Sequence, residues 1–168
     1  IRDFARNLDE NHDVAIGILD DLVNKIVGAG VPISPTVKDS KGELLTEVNE
    51  QISRVFEDWK RRPEASRTLP FNEMVRLICR TWLRDGEALQ QRIKGLTPAI
   101  KHHGVTPYSL ELIEADLLPY DLNTKSPRLI IQGVEVNSWS SPQAYHLLKS
   151  NPSEFFNLRT RPEDTKRV

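Results

Sequence analysis

The stretch from Asn11 to Gly30, NHDVAIGILDDLVNKIVGAG, limits the possible folds more than any other part of this chain. Ala15, Ile18, Leu19, Leu22, Val23 and Ile26 recur at steps of three and four, which places them on one face of an α-helix. Asp20, Asp21 and Lys25 fall away from that face, and Asp21 with Lys25 has the spacing of an i,i+4 ion pair. Gly28 and Gly30 stop the helix, and Pro32 forbids its return. So complete an apolar stripe calls for cover, and the remaining segments are read as what covers it.

The same periodicity organises the rest of the first half. Residues 2 to 10 begin the first helix, which kinks or restarts at Asn11-His12-Asp13. Residues 31 to 45 read as a short hairpin turning on Asp39-Ser40-Lys41-Gly42, with Pro32 and Pro35 restricting it to an edge. A second helix runs from Thr46 to Arg62, with Leu45, Val48, Ile52, Val55, Phe56 and Trp59 on its apolar stripe. Pro63 ends it, and residues 63 to 69 read as a polar, mobile connection. A third helix opens near Pro70 and ends near Asp85-Gly86, with Phe71, Met74, Val75, Ile78, Cys79 and Trp82 on one face.

After Gly86 the period changes to alternation. Residues 87 to 94 and 109 to 115 read as strands that pair across a loop. Asp116 to Pro119 reads as a capped single turn. Leu129 to Asn137 and Gln143 to Lys149 read as two strands joined by Ser138-Trp139-Ser140-Ser141-Pro142. The expected fold class is α+β: three helices followed by a mostly antiparallel sheet with hairpins.

The chain has 168 residues, the length of one domain, and residues 1 to 168 are read as such. Its 23 basic and 24 acidic residues leave a formal net charge of −1, unlike a general nucleic-acid coat or polybasic membrane binder. No apolar run approaches the roughly 20 residues of a membrane-spanning helix. A single cysteine, Cys79, allows no internal disulfide. The start at Ile1 and the polar tail, which lacks a closing element, read as cuts from a longer polypeptide, with residues 151 to 168 incomplete.

Residues with chemical potential each have a plainer reading. Gly28-Ala29-Gly30 follows a helix, whereas a dinucleotide fingerprint follows a strand, so it reads as a helix stop. His102 and His103 are adjacent, but neighbours on an extended chain point opposite ways, and His12 and His146 lie on other elements. Cys79 sits on an apolar helix face and reads as a buried thiol. Glu87, Glu111, Glu114 and Asp116 offer carboxylates for acid–base work, yet charges on half-exposed strands are ordinary. Lys60, Arg61, Arg62 and Arg67 form one basic run, and Arg159, Arg161, Lys166 and Arg167 another. Either could touch phosphates or form a solvated face, and neither has interleaved aromatics. Trp59 and Trp82 read as core anchors, and Trp139 as a partly exposed residue at a loop tip, with a partner contact as the alternative. No catalytic, cofactor-binding or metal-binding residue is assigned.

The order of several short motifs resembles one family, the lambda-type portal proteins of tailed phages. Arg6, Asn11 and Ile26-Val27-Gly28-Ala29-Gly30-Val31 match its early helix and glycine stop. Phe56-Glu57-Asp58-Trp59 matches a following helix end. Arg76-Leu77-Ile78-Cys79-Arg80 and Asp85-Gly86-Glu87 match the next helix. Residues 110 to 116, then Ile131 to Val136 and Ala144-Tyr145-His146, match its strands. The family hairpin usually turns on Asp and Gly, where this chain has Asn137-Ser138-Trp139-Ser140-Ser141.

The resemblance implies a structural component of the portal vertex and not an enzyme, without cofactor or metal. It implies an N-terminal, wing-side part of a longer subunit that assembles with copies of itself into a ring, dodecameric in the mature particle. DNA would be packaged and ejected through the channel, and terminase, capsid or scaffold and head-completion proteins would be partners. Its place would be the virion, and the host cytoplasm during assembly. The alternatives are a nucleic-acid-binding module using the basic runs, or an enzyme with a carboxylate site at the start of the sheet.

Overall fold

A computed structural model describes residues 1–96, 98–149 and 160–168. The chain forms two compact units, Ile1–Leu112 and Ile113–Val168. The α+β class is borne out.

The first unit holds four helices where the sequence reading has three: α1 (Arg2–Asn11), α2 (Asp13–Val27), α3 (Thr46–Trp59) and α4 (Phe71–Asp85). The difference is His12, whose extended backbone (φ −128°, ψ 103°) breaks the first stretch into two helices, so the restart is real. α1 and α2 both pack on α4. Gly30 sits so close to Asn72 that a Cβ there would come within 2.6 Å of its side-chain oxygen, at φ +107°. The glycine stop therefore also lets the chain pass tightly over the start of α4.

The unit's core is aromatic. Trp59, Met74 and Leu110 are buried, with Phe56, Phe71 and Tyr108 packed around them. The Trp59 ring lies 5.6 Å from Phe71 and 5.7 Å from Tyr108, and its Nε1–H donates to the Tyr108 carbonyl at 2.9 Å. The strands β1 (Leu89–Lys94) and β2 (Tyr108–Ile113) pair in a two-stranded sheet, as alternation predicts. The 31–45 hairpin is reduced to one antiparallel bridge, Lys38 with Leu44. The Asp39 carboxylate closes its turn by accepting from the Lys41 and Glu43 N–H groups.

Three expectations for this unit are overturned. α3 stops at Trp59, ahead of Arg62. Residues 63–69 form a defined turn: Pro63 is buried and Glu64 bridges to Leu110 in the parallel sense. The Glu64 carboxylate accepts from the Ser66 and Thr68 hydroxyls at 2.7 and 2.6 Å and from the Thr68 and Leu69 N–H groups. Polarity there marks internal hydrogen bonding. Trp82 is 56% exposed and no core anchor, although it shares the apolar face of α4.

The second unit begins with a 3₁₀ turn, Ala115–Leu117. Four antiparallel strands follow in the order β3 (Ile130–Ile131), β4 (Val134–Val136), β5 (Pro142–Leu148) and β6 (Thr165–Arg167). The single strand expected over Leu129 to Asn137 is instead a hairpin. Gln132 and Gly133 both take positive φ (49° and 78°), the pattern of a type I′ two-residue turn. A Cβ on Gly133 would lie 3.0 Å from Leu118 and 3.1 Å from Pro119. The polar tail also contributes a closing element, since Thr165–Arg167 pairs with His146–Leu148 on β5.

Candidate interaction site

Among the described residues, the buried ionisable groups gather in one cluster per unit. In the first unit α4 presents Arg76, Arg80 and Arg84 toward α1 and α2. Arg80 pairs with Asp9 at 2.5 Å and with Asp20, and Arg84 pairs with Asp9 at 3.2 Å and Asp85 at 2.7 Å. Arg6 reaches the other side of Asp85 at 2.7 Å, Arg2 pairs with Glu87, and Arg76 donates to Asn24. Hydrogen bonds from Arg80 hold the Asp9 carboxyl below the usual carboxylate range, against the upward push of burial. Burial pushes Asp85 up, but hydrogen bonds from Arg84 and Arg6 outweigh it and bring its pKa to about 2. These bonds tie α1 to α4 on one side of α4, while the aromatic core holds its other side.

In the second unit Glu135 on β4 is the centre. It accepts from Arg167 at 2.8 Å and from Arg128 at 3.2 Å, and lies 3.4 Å from His146 Nε2. The other ring nitrogen of His146 faces the Thr165 hydroxyl at 3.3 Å. The Arg167 hydrogen bond is the main reason the Glu135 pKa falls to about 2. The cluster stitches β4, β5 and β6 together.

These two clusters account for several charged residues of the short motifs. Arg6, Arg80, Asp85 and Glu87 from the helical motifs are members of the first, and Glu135 and His146 from the strand motifs of the second. The sequence reading missed Arg2, Asp9, Arg84 and Arg128 as members. Arg2 and Arg84 carried a signal, since each stands one helical turn from a motif arginine, Arg6 and Arg80.

The other singled-out residues lie apart from one another. Gly28 caps α2 at φ +56°. His102 is hydrogen-bonded to Ser109 Oγ at 2.8 Å and the Gly95 carbonyl at 2.9 Å, while His103 faces Asp58 at 3.6 Å. Among the described residues no three His, Cys, Asp or Glu side chains converge as a metal site. Cys79 is buried. Lys60 pairs with Glu57 at 2.5 Å, and Arg61, Arg62 and Arg67 are exposed. In the tail, Arg159 lies outside the described residues, Arg161 pairs with Glu163, Lys166 is exposed and Arg167 is committed to Glu135. Trp139 is 88% exposed at the β4–β5 turn. The Asn137 side chain latches that turn by accepting from the Trp139 and Ser141 N–H groups. Among the described residues no helix is long and apolar enough to cross a membrane.

What the first unit leaves open is apolar. The stripe expected to be covered on α2 is covered only along one edge. Val23 is buried, but Val14, Ile18, Leu22 and Ile26, four residues apart each, form an exposed ridge (63, 56, 38 and 56%). A cleft of about 580 Å³ opens beside α3, lined by Ile33, Val48, Ile52, Phe56, Trp59 and Tyr108.

A family model described as phage portal protein, lambda family, matches residues 1–168. A curated relative, the "Probable portal protein" of Halomonas phage phiHAP-1, is 27% identical over 137 residues. The match covers 79% of this chain and 25% of the relative, so it spans about a quarter of the relative's length.

Proposed function

The chain belongs to the lambda family of phage portal proteins, and from that premise we propose that it forms an N-terminal, wing-side part of a portal subunit. In this reading it is a structural component of the portal vertex of the virion. Copies of the intact subunit close into a ring, twelve by family expectation, whose channel passes DNA during packaging and ejection. Terminase, capsid or scaffold proteins and head-completion proteins are its partners, and assembly takes place in the host cytoplasm.

The observation that carries this proposal is the family match along the whole chain. The geometry supports it in kind. The buried carboxylates Asp9, Asp85 and Glu135 are committed to arginines that lock elements together, which suits a load-transmitting body better than a reaction centre. Negative-stain electron microscopy of the intact subunit tests it. Closed rings are expected, and a population of monomers and dimers alone would overturn it.

A further inference from the structure

Resting on the portal reading, we propose that the α2 ridge of one copy seats in the α3 cleft of a second copy, head to tail. Both features belong to the first unit but to different elements. The ridge is convex, with apolar side chains at i, i+4, i+8 and i+12, and the cleft is an open apolar groove. A helix face laid in such a groove is a recurring mode of recognition. Because the two surfaces differ, the contact is heterologous, and repetition closes a ring when the rotation allows it.

Charge agrees with this pairing. On the α1–α2 side, Asp3, Glu10 and Asp13 are exposed and have no salt-bridge partner among the described residues. Around α3, Arg61 and Arg62 beyond Trp59 and Glu47 beside Val48 are exposed and likewise unpaired among the described residues. The exposed, unpaired charge is thus acidic on α1 and the start of α2 and net basic around the cleft.

Area decides between a free dimer and a ring. Four aliphatic side chains cover roughly 250–500 Å² when buried, well under the about 800 Å² per partner of a stable pair. The contact alone is too small to hold two copies together. It becomes effective when every subunit makes it twice in a closed ring and other parts of the subunit contribute.

Cross-linking in the intact subunit tests the pairing, with wild-type protein, whose Cys79 is buried, as background. Ile18→Cys and Ile52→Cys are made singly, then co-expressed, then combined in one chain. The co-expressed singles are expected to give a cross-linked dimer several-fold above either alone, and the double variant a ladder. Leu22→Cys with Val48→Cys repeats the test should the first pair fail to fold. Like-with-like cross-links in the single variants, a product only within the double-variant chain, or no cross-link in verified rings would each overturn the pairing and spare the portal reading. Cross-linking without rings in wild-type protein would uphold the contact and overturn the ring. Absence of both would overturn both.

Discussion

Replacing Asp85 by Asn should release α1 from α4 in a pH-dependent way. Asp85 is the last residue of α4, where the helix dipole disfavours a carboxylate. Its side chain is 1% exposed, and Arg6 and Arg84 approach it from two sides at 2.7 Å. Those bonds lower its pKa from 3.8 to about 2, and at about 1.4 kcal/mol per unit this is worth roughly 2 kcal/mol. Removing the charge also leaves two arginines under-paired. They keep 24% and 23% side-chain exposure, so water offsets part of that penalty. The expected loss is therefore about 2–3 kcal/mol at pH 7, below the ~3–5 kcal/mol of a wholly buried pair.

The sign follows from the lowered pKa. The stabilisation is fully present above the unfolded value near 3.8 and is lost as pH falls through about 2. Urea unfolding followed by far-ultraviolet circular dichroism should show the full gap between wild type and Asp85→Asn at pH 7 and most of it at pH 4. The gap should narrow toward pH 2, where about half of the wild-type carboxyl is protonated in the folded state and nearly all of it in the unfolded chain. A gap under about 0.5 kcal/mol at pH 7, or one unchanged at pH 2, would refute the reasoning.

Three further perturbations follow from the same geometry. Gly133→Ala should cost about 1–3 kcal/mol in chemical denaturation, since φ is +78° and its Cβ would press on Leu118 and Pro119. Glu64→Gln should cost about 1 kcal/mol at pH 7. Burial raises the Glu64 carboxyl, but hydrogen bonds from Ser66 and Thr68 and the Leu69 and Thr68 N–H groups leave it below its ordinary 4.5, so thermal melts should converge as pH falls below 4.5 and through the lowered value. Trp139→Ser should change stability by less than about 0.5 kcal/mol in the same melts, because its ring is exposed and its turn is held by Asn137.

Much of the architecture was legible in the sequence because it is local. The 3.6 period located α3 and α4, Gly86 marked the end of α4, and alternation located β1 and β2. Trp59 stood on the right face for a core anchor. Misreadings arose where a residue's partner is distant or its conformation unusual. Residues 63–69 look like a free loop until Leu110, on β2, pairs with them. Gln132 is a rare residue for positive φ, so Leu129 to Asn137 passed for one strand. Thr165–Arg167 is polar and becomes a strand only because β5 offers it a hydrogen-bonding edge.

The stretch from Asn11 to Gly30 separates the two levels. Its sequence alone determined a helix, its apolar side and its stop, because backbone hydrogen bonding and glycine's freedom at positive φ act within a few residues. How much of that side is buried was decided by tertiary structure. Arginines bound to Asp9, Asp20 and Asp85 tie α4 to α1 and α2, and of the stripe only Val23 is buried. The edge of Val14, Ile18, Leu22 and Ile26 remains exposed. Periodicity states that a face is apolar; only the placement of the other elements determines what it meets.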